Sequence, residues 1–156
     1  MTGTLTDDLI ETLHIVASAA AGLQDPWWIF GGVAMALAGL EGWRVPDVDI
    51  MASPRDARAL IDVLGGRVVQ DPGEGLFRSE VFGRILTTPV PLEVMARTDI
   101  RAGGDWTQVA FHSRMPVDIG GAVLFIPAVA EQIATCRLFG RPKDLERAIR
   151  LEALIH

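Results

Sequence analysis

The chain has 156 residues, of which 49% are hydrophobic and 22% charged, with 20 acidic and 14 basic side chains and a formal net charge of -6. Such a length and apolar share fit one domain, residues 1–156, with a proper core, and exclude an intrinsically disordered chain. The acidic balance excludes a broad unassisted nucleic-acid surface, which needs basic charge, but not a single nucleotide whose phosphates are met by a metal and a helix end.

The single cysteine, Cys136, rules out an internal disulfide and suits a reducing compartment. The first eight residues lack the basic start and apolar run of a signal peptide. No apolar run approaches the roughly 20 residues that span a bilayer. The expectation is a soluble cytoplasmic protein without a membrane partner.

Leu9, Leu13, Val16 and Ala20 recur at helical spacing and predict a helix over 7–22, with Asp7 and Asp8 at its positive end. Trp27-Trp28-Ile29-Phe30 reads as a short strand, followed by Gly31-Gly32 and a buried helix over 33–40. A second strand is expected over 45–51. Ser53-Pro54 is a cap followed by a first-position proline, opening a helix to about Leu64. Residues 67–69 form a short strand and 71–75 a loop. Residues 76–82 and 84–88 are expected to pair as two strands around Gly83, and 90–96 to form an apolar strand. Residues 99–106 are polar and glycine-rich. Further short strands are expected near Phe111 and over 117–126. Helices follow from Pro127 to about Phe139 and over 143–155, separated by Gly140-Arg141-Pro142. The order predicts an α+β (α/β) chain with a mixed sheet flanked by helices.

Asp47-Val48-Asp49-Ile50 carries the chemistry. On a strand alternate side chains share a face, so Asp47 and Asp49 point the same way, roughly 6.5–7 Å apart at the backbone. Two carboxylates so close repel, and a divalent cation between them removes the penalty. Glu93, a lone acid in the apolar run Leu92-Glu93-Val94-Met95, needs a partner if buried, and a metal shared with Asp47 and Asp49 supplies one. Gly31-Gly32, between strand and helix, lets a phosphate approach the backbone. The competing readings are a solvated turn after Pro46 for Asp47 and Asp49, an edge-strand acid for Glu93, and a plain turn for Gly31-Gly32.

Phe30-Gly31-Gly32, Asp47-Val48-Asp49-Ile50 and Leu92-Glu93-Val94 together resemble the signature of the nucleotidyltransferase superfamily. The likeness is nearest to small bacterial proteins similar to aminoglycoside and lincosamide nucleotidyltransferases and to antitoxin-linked members. The stretch Leu138-Phe139-Gly140-Arg141-Pro142-Lys143-Asp144-Leu145 resembles the lysine-aspartate helix start of that branch, so the likeness covers about residues 27–150. It implies the nucleotidyltransferase fold. It also implies an enzyme that moves a nucleoside monophosphate from a nucleoside triphosphate to a hydroxyl on a small molecule or macromolecule. Asp47, Asp49 and Glu93 would be the catalytic and metal-binding residues, with Mg²⁺ or Mn²⁺ as cofactor and Glu93 as a ligand of a second metal or a base. Gly31, Gly32, Arg44 and Lys143 would bind nucleotide.

Lys143 is the chain's only lysine beside thirteen arginines. A compact ammonium suits a tight phosphate pocket, and a surface salt bridge is its plainer use. Gly32 stands where many members have serine, and Val45 and Pro46 separate Arg44 from Asp47. No second substrate domain is present, whereas drug-modifying transferases are expected to use more chain. The other readings are therefore a non-catalytic nucleotide- or metal-binding regulator and an interaction subunit such as half of a toxin–antitoxin-like pair. The short apolar chain also suggests a homo-oligomer or protein partner. Trp27, Trp28, Trp43 and Trp106 read as core or rim packing, Cys136 as a small buried residue, and His14 and His112 as having no ligand spacing.

Overall fold

Leu9, Leu13 and Val16, one helical face apart in sequence, are all essentially inaccessible to solvent and hold helix α1 (Asp7–Ala20) against the sheet. The computed structural model describes residues 5–42, 44–70 and 75–155, so Trp43 and most of the expected loop at 71–75 lie outside the described residues. The remaining elements are β1 (Trp28–Phe30), α2 (Gly31–Leu37), β2 (Val48–Met51), α3 (Pro54–Val63), β3 (Arg67–Val68), β4 (Phe77–Ile85), β5 (Leu92–Ala102), β6 (Asp105–Gln108), β7 (Met115–Ile119), β8 (Ala122–Ile126), α4 (Val129–Phe139) and α5 (Pro142–Glu152).

The main sheet runs β1-β2-β5-β4-β3, and β6 pairs with the outer part of β5. Only β2 and β5 are parallel, so the sheet is mixed as expected. β7 and β8 form a separate hairpin that packs on α1 and β1. Val48, Ile50, Val94, Ile85 and Leu92 point to one face and meet α1 and α3 in the main core. Each such buried aliphatic side chain contributes roughly 1.5–3 kcal/mol. The opposite face carries Asp49, Glu93 and Met95 towards α4 and the start of α5.

The caps at α3 and α5 explain where those helices begin. Ser53 Oγ accepts the Asp56 N–H at 3.3 Å, with Pro54 in the first turn. The Asp144 carboxylate accepts the Arg141 N–H at 3.3 Å, the reaching-back half of a capping box.

Two expectations are corrected, and a stretch to which no element is assigned above proves to be strand. Helix α2 begins at Gly31 rather than at 33, so the glycine pair forms its first turn. Gly83 does not turn the chain: β4 runs straight through it for nine residues. A Cβ there would lie 2.4 Å from Ile61 Cδ1, so glycine is required by a side chain of α3 lying over the strand. The polar stretch 99–106 is mostly ladder: β5 continues to Ala102, turns at Gly103-Gly104 with φ of 63° and 90°, and returns as β6. Two positive φ values in a two-residue hairpin mark a type I′ turn, and Gly120-Gly121 repeats it between β7 and β8 with φ of 58° and 95°.

Arg97 is the one non-glycine residue with positive φ among the described residues, at 48°. The β4–β5 register passes from Ser79↔Thr98 to Val81↔Ala96, skipping the pair Glu80 and Arg97 that is joined instead by an ion pair of 3.0 Å. Across this irregularity the alternation shifts by one. Met95 and Thr98, three residues apart, both face the cavity described below, as do Phe82 and Ser79 on β4.

Candidate metal and nucleotide site

Asp49 sits on β2 directly beside Glu93 on parallel β5, as Cα partners in the ladder. Asp47 falls one residue before β2, in a bend after Pro46, and not on the strand as expected. The strand begins where Val48 donates its N–H to the Pro91 carbonyl at 2.9 Å. The convergence of the acids survives this: one oxygen from each of Asp47, Asp49 and Glu93 lies within 4.8 Å of the others. Glu93 is not on an edge strand, since β5 lies between β2 and β4.

The electrostatics of the trio are unfavourable without a cation. Burial, reinforced by the charges of Asp47 and Glu93, pushes the Asp49 carboxyl up to about 8, while Lys143 and Arg141 pull it down. Burial also raises Glu93, with a hydrogen bond and charge from Asp47, against the opposing pull of Arg84. Arg84 Nη2 lies 3.4 Å from Glu93 Oε2 across the ladder. Three hard oxygen donors, with the Asp49 and Glu93 carboxyls driven towards protonation, form a donor set that fits Mg²⁺ or Mn²⁺, whose charge reverses the cost of ionising them.

Gly31 packs against one member of this trio, Asp49. Its φ of 68° lies in the left-handed region, and a Cβ on it would stand 2.9 Å from Asp49 Oδ2. Gly31, Gly32, Asp47, Asp49, Glu93 and Lys143 all line one cavity of about 380 Å³. Lys143, exposed at the first turn of α5, is close enough to act on the Asp49 charge. Arg44 is exposed and is not among the residues lining the cavity, although its neighbours Val45 and Pro46 are.

Much of the cavity wall carries no motif. Gln132, Thr135, Cys136 and Phe139 present one face of α4 to it at helical spacing. Cys136 is buried, and burial pushes its thiol up to about 11, so it is an unreactive packing residue. Arg141 and Arg147 add charge from around the start of α5. Five of the six phenylalanines in the chain, Phe30, Phe77, Phe82, Phe111 and Phe139, line this space. They come from separate elements at no common period, so no sequence pattern groups them. Among the described residues no helix is long and apolar enough to cross a membrane.

No protein-family model matches the sequence, and no curated protein matches it. Solved structures do. A candidate nucleotidyltransferase from Thermotoga maritima is 18% identical with a TM-score of 0.73, over 97% of this chain and 94% of that one. The lincosamide antibiotic adenylyltransferase LnuA, solved with lincomycin bound, is 11% identical with a TM-score of 0.62, over 98% and 99% of the two chains. ANT(2'')-Ia, solved in complex with adenylyl-2''-tobramycin, is 16% identical with a TM-score of 0.57, over 93% of each chain. Near-complete coverage of the last two corrects the expectation that drug-modifying transferases use more chain than this one. By the path of its backbone over almost its whole length, this chain has the nucleotidyltransferase fold.

Proposed function

We propose that the protein, acting as one domain over its whole length, is a metal-dependent nucleotidyltransferase that moves a nucleoside monophosphate from a nucleoside triphosphate to a hydroxyl acceptor. The observation that carries this reading is the meeting of Asp47, Asp49 and Glu93 within 4.8 Å, against a side-chain-free backbone at Gly31.

Asp47, Asp49 and Glu93 would hold Mg²⁺ or Mn²⁺, which when bound supplies positive charge to the triphosphate and the departing pyrophosphate. Gly31 and Gly32 leave room for the phosphates to approach the main chain. Lys143 adds a cation in the same cavity, near enough to act on Asp49. The acceptor oxygen attacks the α-phosphorus in line, and the bond from that phosphorus to the bridging oxygen of pyrophosphate breaks. Glu93, with a carboxyl raised towards neutrality and an arginine beside it, is placed to take the acceptor's proton. Arg44 keeps a nucleotide-binding role in this reading only at the rim. A homo-oligomer or partner completing the acceptor side belongs to the same reading, and a monomeric mass on size exclusion removes it.

The test is thermal melting of the purified protein with Mg²⁺ or Mn²⁺, each nucleoside triphosphate, and the two together. A ligand that binds only the folded state raises the melting temperature by mass action. A shift that needs metal and nucleotide together and vanishes in Asp47→Asn supports transfer chemistry. No shift with any pair leaves a non-catalytic binding or interaction subunit, such as half of a toxin–antitoxin-like pair.

A further inference from the structure

The cavity is larger than the carboxylate trio needs, and its remaining wall has a definite chemistry. Phe30 and Phe111 meet at a tilt of 45° with ring centroids 5.5 Å apart, and Phe77 and Phe139 meet edge to face at 5.0 Å. With Phe82 and Met95 they form an apolar cluster separate from the main core. The chain has no tyrosine, so this aromatic wall offers no phenolic hydroxyl. Ser79 and Thr98 supply neutral hydroxyls, whose oxygens lie 2.7 Å apart.

Acidic groups for a cationic ligand are missing from the described lining once the trio is set aside. Asp144 is the fourth acid there, and it is 1% exposed with its carboxylate held by Arg141 at 2.6 and 3.2 Å. The other charges are Arg141, Lys143 and Arg147. Arg141 and Asp144 offset each other as an ion pair, so the remaining charges a polycation would meet are the cations Lys143 and Arg147.

Gln132 is the remaining polar feature. It is 4% exposed, and its Nε2 donates to the Pro127 carbonyl at 2.9 Å. That bond fixes the amide's orientation, because a flip would set two carbonyl oxygens against each other. Its Oε1 has no hydrogen-bond partner, the sole such buried side-chain atom among the described residues. A buried carbonyl left unpaired has lost its hydration without a replacement, and a ligand donor restores the missing hydrogen bond.

We propose that the acceptor is an uncharged, largely apolar hydroxyl compound seated on the phenylalanine wall, with Gln132 Oε1 accepting a hydrogen bond from it. This rests on the transfer reading above, and it assigns Gln132 as a specificity-determining residue. The acceptor's apolar body gains by leaving water, and its hydroxyl donor satisfies the orphaned carbonyl.

Isothermal titration of the full chain tests this with two probes, octyl glucoside below its micellar concentration and tobramycin. The expected result is binding of octyl glucoside with little dependence on salt, weakened about tenfold by Gln132→Leu, and no binding of tobramycin. Gln132→Met serves as a second variant should the leucine form fold poorly, and wild-type salt dependence reads the class without any variant. Tighter binding of tobramycin than of octyl glucoside overturns the proposal, as does failure of octyl glucoside to bind or wild-type affinity in both Gln132 variants. So does a Gln132 variant that weakens nucleotide instead, which would place the amide on the base. Nucleotide with Mg²⁺ is titrated separately, with Asp47→Asn as its control. Failure of the wild-type chain to bind nucleotide with Mg²⁺, with octyl glucoside binding intact, sinks the transfer reading and not the cavity's ligand class.

Discussion

A Cβ on Gly31 would stand 2.9 Å from Oδ2 of Asp49, so the backbone of one element leans on the carboxylate of another with no space for a methyl group. Two demands meet at this residue, close approach and a φ of 68°, and only glycine satisfies them without strain. Gly31→Ala is expected to displace the Asp49 carboxylate and to weaken Mg²⁺-dependent nucleotide binding by tenfold or more. Its cost to folding is smaller, about 1–2 kcal/mol. Titration calorimetry and denaturant melts on the same variant separate the two effects. Full binding by Gly31→Ala would mean the contact is incidental.

The Asp49 carboxyl gives the metal-free protein a pH dependence of definite sign. Its folded value of about 8 lies above the ordinary 3.8, so the folded state holds a proton that the unfolded state releases. Stability from this group is therefore complete below about pH 4 and is lost as pH rises towards 8. Asp49→Asn is expected to flatten that slope and to leave the apo protein equal to wild type or more stable by about 1–3 kcal/mol at pH 8. Urea melts from pH 5 to 8.5 check this. A variant that fails to fold would contradict a functional role for the acid.

Metal binding should run the other way. Holding a cation requires the carboxylates ionised, so Mg²⁺ affinity is expected to rise with pH, by up to about tenfold per unit between pH 6 and 8 for one released proton. Buffer-dependent calorimetry counts the protons. An affinity flat across this range would show that Asp49 is already ionised in the free protein.

Arg97 holds a left-handed backbone at 48°, where the facing of β4 and β5 shifts. Arg97→Gly is expected to be neutral or stabilising by up to about 1 kcal/mol, whereas Arg97→Val, which resists this conformation, costs about 1–3 kcal/mol. Shifts in the urea midpoint decide between them. Equal costs would mean that the lost side chain matters and the backbone conformation does not.

Gly83 gives the packing test. A Cβ there overlaps Ile61, so Gly83→Ala should destabilise by about 1–3 kcal/mol, and much of that loss should disappear in an Ile61→Ala background. Additive losses would refute the contact.

The contrast between Gly83 and Gly103-Gly104 marks how far the residues alone could be read. All three are glycines between β-type runs. Two of them turn the chain, and the third is glycine because the side chain of Ile61, 22 positions earlier in another element, lies over it, a tertiary fact with no local signature. The helices were legible from periodicity and from Ser53-Pro54, because their signals are local. The acidic trio was legible for a related reason: charges in apolar strands stand out, and parallel register sets Asp49 beside Glu93. Asp47 still came out one residue off the strand, since Pro46 delays the ladder. The phenylalanine wall and Gln132 were not legible. Their grouping depends on where β1, β4, the segment after β6 and α4 meet, and partly on the shift of facing at Arg97.

The ion pairs of the described residues draw their cations from arginine throughout, and none of them uses Lys143. Apart from an α-amino group, the chain therefore presents amine-directed reagents with a single address, at the edge of the cavity. Acylation should appear in a mass spectrum as one addition beyond that of any α-amino group, and protection of the Lys143 amine by an added compound, read in the peptide that carries it, would report occupancy of the cavity without any substitution in the protein.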